Sequence, residues 1–70
     1  MGLREKIEEL LEMSVDDISP GDTLLELGMD SIKLVELAGL IEENTDVVIY
    51  EDDIYSIDGK WLHELLKKYK

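Results

Sequence analysis

Seventy residues carry 18 acids against 7 bases, a formal charge of −11, and no cysteine. A chain this short makes one domain and buries only about 60% of its unfolded surface, which leaves little room for a deep enzyme pocket. The charge disfavours nucleic acid and anionic membranes as partners and favours basic proteins, while the missing thiols exclude disulfides and thiolate metal sites.

Residues 3–13 have the period of a helix. Leu3, Ile7, Leu10 and Leu11 fall at i, i+4, i+7 and i+8, and Arg4, Glu5, Glu8, Glu9 and Glu12 make a solvated face. Residues 14–29 read as a long connection rich in turn formers, with Pro20-Gly21 the strongest turn signal. A connection of that length in a compact domain needs a reason. Val15 and Ile18 are expected to anchor its first half to the core, and Leu24, Leu25 and Leu27 its second, with one helical turn over 23–27. The acids at 16, 17 and 22 have neither the spacing nor the bidentate glutamate of a calcium loop, so no metal site is expected.

The second helix is expected from Ser31 to about Asn44. Gly28 can take positive φ and turn the chain sharply. Asp30 is a preferred N-cap, because its carboxylate can accept a free backbone N–H of the first turn. Ser31 then stands at the positive end of the helix dipole, where a phosphate ester is favoured. An Asp-Ser pair before a helix, taken alone, is only a cap. At about 100° per residue, Ile32, Leu34, Val35, Leu37, Ala38, Leu40 and Ile41 cover more than half the circumference, which predicts a central helix. Lys33, Glu36 and Glu43 share the remaining stripe, Leu40 falls within it, and Met29 extends it toward the serine. Exposed apolar groups ringed by acids suit a partner surface, although single exposed apolar residues are ordinary.

Asn44-Thr45-Asp46 ends that helix. Val47-Val48-Ile49-Tyr50 has strand propensity but no second run to pair with, so an extended, partly buried connector is expected. Glu51-Asp52-Asp53-Ile54-Tyr55 reads as one short helical turn. Residues 58–69 form the last helix. Asp58 is its cap, Ile57 is placed to staple onto Leu62, and Trp61, Leu62, Leu65, Leu66 and Tyr69 form its buried face. Lys67, Lys68 and Lys70 suit its negative end. The fold class that follows is all-α, a small four-helix bundle of three main helices and a short third. Its core is expected to be Leu10, Leu34, Leu37, Ile41, Trp61, Leu62 and Leu65.

Leu27-Gly28-Met29-Asp30-Ser31-Ile32, followed by Leu34, Val35, Glu36 and Leu37 and preceded by Asp22-Thr23-Leu24-Leu25-Glu26, resembles the acyl and peptidyl carrier protein family. The resemblance implies a single carrier domain over 1–70. In it Ser31, flanked by Asp30 and Gly28, carries a covalent 4′-phosphopantetheine arm from coenzyme A. Acyl or aminoacyl intermediates ride on the arm as thioesters, and the protein itself performs no catalysis. The implied partners are a phosphopantetheinyl transferase, to which Mg²⁺ belongs, and loading, condensing and release enzymes with basic surfaces. A monomer would meet them through Met29, Ile32, Glu36, Leu40, Glu43 and Ile54. Ile54 and Tyr55 either pack inward or line the arm's exit. Lys33 stands where fatty-acid carriers often have an acid, which leans toward polyketide or nonribosomal-peptide work. Leu25 stands near a position where a Phe is common. A fatty-acid carrier and an unmodified acidic interaction module are the alternative readings.

His63 invites a Ser31–His63–acid triad, but the serine lies in no Gly-x-Ser-x-Gly elbow and no oxyanion-hole glycines are visible. No apolar run approaches the roughly 18 residues of a membrane span, and the charged N-terminus lacks a signal-peptide apolar region, so a cytoplasmic location is expected.

Overall fold

A computed structural model describes residues 2–69. Three α-helices run in the order α1 (Leu3–Leu11), α2 (Ser31–Asn44) and α3 (Gly59–Lys68), with short 3₁₀ helices at Val15–Asp17 and Glu51–Ser56. The second of these is the short third helix of the bundle. No strand forms among the described residues, and the fold is the all-α bundle that the pattern of apolar residues predicts. No helix among them is long and apolar enough to cross a membrane.

The α1 helix ends at Leu11, two residues short of the expected end at residue 13. Glu12 takes a left-handed conformation (φ 59°, ψ 33°), which an α-helix cannot continue through. The Glu8 carboxylate then accepts the Val15 N–H at 2.8 Å and the Ser14 hydroxyl at 3.2 Å, turning the chain into the first 3₁₀ helix. Arg4 lies against Glu8 and Asp16, and these carboxylates, Asp16 first, raise its pKa above the ordinary value.

Leu34, Leu37, Ile41, Leu62 and Leu65 are buried as expected, together with Leu3, Ile7, Leu11, Val15, Ile18, Leu24 and Ile57. Leu10 and Trp61 pack on the rim of this core and stay half-buried, contrary to expectation. On α2 only Leu34, Leu37, Ala38 and Ile41 are buried, which is an arc of about 100°. Of the rest of the apolar circumference that the sequence displays, Ile32 and Val35 face outward and Leu40 stays half-buried.

The reason for the long first connection lies at the start of α3. The Leu24 N–H donates to the Ile57 carbonyl at 3.0 Å, the Gly59 N–H to Asp22 at 2.9 Å and the Lys60 N–H to Pro20 at 3.2 Å. Thr23 and Asp58 form an isolated antiparallel bridge. His63 Nε2 lies 2.9 Å from the Ile18 carbonyl. Val15, Ile18 and Leu24 are the apolar anchors, each almost fully buried. Leu25 and Leu27 are not anchors; they are 49% and 37% exposed. The turn over 24–28, closed by Leu27 N–H to the Thr23 and Leu24 carbonyls, directs Leu24 alone inward.

Candidate functional site

The connection ends in a sharp turn. Gly28 has φ +98°, and nothing lies within 4 Å of where a Cβ would stand. Glycine is therefore required there by backbone conformation and not by space. The Met29 N–H donates to the Leu24 carbonyl at 3.1 Å, which ties the turn to the buried anchor and sets the entry of α2. Asp30, extended at φ −85° and ψ 174°, caps the helix. One carboxylate oxygen accepts the Lys33 N–H at 2.9 Å, and its carbonyl accepts the Leu34 N–H at 3.1 Å.

Ser31 is the first residue of α2 and is exposed. Among the described residues its hydroxyl makes no hydrogen bond, and neither do the backbone N–H groups of Ser31 and Ile32. A reachable hydroxyl thus stands beside open N–H groups at the positive end of the helix. That is an environment suited to a phosphodiester. The exposure of the site leaves room for a long substituent to run outward without displacing core residues.

The residues expected to meet partners divide. Ile32 is 69% exposed, and Glu36 and Glu43 are exposed beside it on the same side of α2. Met29 and Leu40 are half-buried against the core. Ile54 is 8% exposed and belongs to the core, so it is not available to a partner; its neighbour Tyr55 is 49% exposed instead. An inward Ile54 anchors the 3₁₀ helix to the core, and the next residue must then point outward. Sequence reasoning missed the exposed apolar residues Leu25, Leu27 and Val35. Val35 is one helical turn from Ile32, a spacing that puts the two on one face.

Lys33 does not project freely. Its ammonium donates to the Leu10 carbonyl at 3.1 Å, in the last turn of α1, where unpaired carbonyls and the helix dipole attract a cation. With Lys6, Glu36, Leu40 and Glu43 it lines an open groove of about 710 Å³ between α1 and α2. His63 is held at the Ile18 carbonyl, where it fastens the loop to α3.

The model of a family described as phosphopantetheine attachment site matches residues 2–59. A phenyloxazoline synthase, MbtB, from Mycolicibacterium paratuberculosis (strain ATCC BAA-968 / K-10) is 46% identical over 37 residues, which is 53% of this chain. The matched segment spans 3% of that protein's length. No solved structure matches the chain.

Proposed function

This chain belongs to the phosphopantetheine-attachment family of acyl and peptidyl carrier proteins, whose cofactor is covalently bound 4′-phosphopantetheine, and on that premise we propose that Ser31 is the attachment residue. The observation that carries the assignment is the exposed, unbonded Ser31 hydroxyl beside the two open N–H groups at the start of α2. Asp30 holds the first turn of α2, and Gly28 provides the turn that delivers the serine to the surface. When bound, the arm supplies the thiol that this cysteine-free chain lacks.

The protein then carries an acyl or aminoacyl group as a thioester and leaves the chemistry to other enzymes. We place it in polyketide or nonribosomal-peptide assembly. The support is the similarity of half the chain to a small segment of a phenyloxazoline synthase, together with Lys33 at a position where fatty-acid carriers favour an acid. The transferase and the loading, condensing and release enzymes are expected to dock on the outer face of α2 around Ile32, Val35, Glu36 and Glu43. Apolar groups there supply contact and the acids steer basic surfaces.

Intact mass after incubation with coenzyme A, Mg²⁺ and a broad-specificity phosphopantetheinyl transferase tests this reading. One added arm on the wild type and none on Ser31→Ala is the expected result. No added mass on folded wild type, with a known carrier modified in the same tube, overturns it. An unmodified acidic interaction module then becomes the better account.

A further inference from the structure

The connector between α2 and the second 3₁₀ helix has a role that carriage of a thioester does not require. Residues 47–50 alternate as a strand does: Val47 and Ile49 are half-buried against the core, while Val48 and Tyr50 are 65% and 69% exposed. The backbone is extended at Thr45 (φ −142°, ψ 176°) and at Tyr50 (φ −79°, ψ 153°). Successive residues of an extended chain aim their N–H and C=O groups at opposite edges. On one edge the chain takes up its own N–H groups, while the carbonyls of Val47 and Ile49 accept no bond among the described residues. The Val47 N–H donates to Thr45 Oγ1 at 3.1 Å, and the Ile49 N–H to a Glu42 carboxylate oxygen at 2.9 Å. On the other edge the N–H and C=O of Val48 and the N–H of Tyr50 have no partner among the described residues. The Tyr50 carbonyl accepts the Asp53 N–H at 2.9 Å, which ends the edge there.

A β-branched and aromatic stretch with one edge on which both donors and an acceptor are open is a template for strand addition. We propose that residues 47–50 accept an extended strand of a partner protein by edge pairing, and that this strand is flanked by basic residues. Asp46, Glu51, Asp52 and Asp53 are all exposed and bracket the edge on both sides. A second copy of this chain would bring those acids against their own equivalents, with −11 on each molecule, and is repelled. Lysine or arginine at both ends of a short apolar strand meets the same acids favourably. Alternate apolar residues of that strand lie beside Val48 and Tyr50 as cross-strand neighbours. Three open backbone groups make a short contact, which suits a carrier that must leave each partner. The inference does not rest on Ser31, so the unmodified protein tests it and the attachment assignment survives its failure.

The probe is a synthetic peptide of alternating valine and threonine with lysines at both ends, titrated into ¹⁵N-labelled full-length protein. Expected are amide shifts confined to residues 46–51, slower hydrogen exchange at Val48 and Tyr50, and binding about tenfold weaker when the lysines are replaced by glutamates. Tyr50→Pro removes one open donor at a φ that proline tolerates and should abolish binding, whereas Tyr50→Ala, which keeps the N–H and loses the ring, should retain it. Val48→Pro removes the second donor and serves if Tyr50→Pro melts early. No shifts at saturating peptide, shifts centred elsewhere, or undiminished binding to the folded proline variants overturn the proposal. Equal binding of the glutamate-flanked peptide overturns the basic partner, and self-association of the chain through this edge overturns the choice of occupant.

Discussion

The α2 and α3 helices begin alike and end up with opposite fates. Each is capped by an extended aspartate whose carboxylate accepts the N–H three residues on, Asp30 from Lys33 at 2.9 Å and Asp58 from Trp61 at 2.8 Å. The difference lies in the two N–H groups between cap and capped residue. At α3 they are occupied by the loop carbonyls of Asp22 and Pro20; at α2 those of Ser31 and Ile32 stay open. One helix start is a structural socket for the long connection, and the other is left open. An aspartate cap therefore does not mark a site by itself. What distinguishes the two starts is whether the chain fills the remaining donors.

The sharpest way to break this comparison is to copy the Asp-Ser pair onto α3. Gly59→Ser does so, but a Cβ at residue 59 would stand 2.2 Å from the Ser19 carbonyl oxygen, a backbone atom that no side-chain rotation can clear. The loop must leave its socket, at a cost of about 3 kcal/mol. Thermal unfolding should fall by more than about 10 °C, since each kcal/mol shifts a domain of this size by several degrees. In a Ser31→Ala background the new serine should gain no arm by intact mass. An arm on residue 59 would show that the cap dipeptide alone suffices.

Gly28→Ala probes the other start. Nothing crowds the position, so the expected cost is only that of a left-handed alanine, about 1 kcal/mol, read by denaturant unfolding. The two glycines thus separate a conformational requirement from a packing one.

That distinction shows what was legible in the sequence. The bounds of α2, its cap, the turn at Gly28 and most of the core follow from local chemistry: an N-cap residue, a turn former and a helical period. Gly59 was opaque, because its constraint comes from a carbonyl 40 positions earlier in the chain and leaves no local signal. Leu25 and Ile54 were misplaced for a related reason. In a one-turn segment a shift of one residue exchanges inside and outside, and only the anchors Leu24 and Ile54 settle which residue points in. Trp61 looked like core by size, yet it stays half-buried on the rim of the core.

Asp30→Ala and Asp58→Ala should each cost about 1 kcal/mol, the usual loss of a cap, by the same unfolding measurement. They should differ in function. Loss of Asp58 should leave modification of Ser31 at the wild-type rate in a time course, while loss of Asp30 frays the turn that presents the serine and should slow it. Equal slowing would mean that the two starts communicate through the loop.

The smallest effect expected is at Lys33. The last turn of α1 has no basic residue of its own, and Lys33 supplies one from α2 through its 3.1 Å bond to the Leu10 carbonyl. Lys33→Met keeps the apolar stem and removes the ammonium, so the loss should be about 0.5 kcal/mol and should shrink as salt is added. Lys33→Glu should cost more, because it sets a carboxylate among the α1 carbonyl ends and beside Glu9 and Glu12, which line the same groove. If Lys33→Met leaves the rate of modification at Ser31 unchanged, the lysine joins two helices and nothing else. A slower rate would instead mean that the packing of α1 on α2 helps hold the serine's turn in place, and the open start of α2 would depend on α1 as the closed start of α3 depends on its loop.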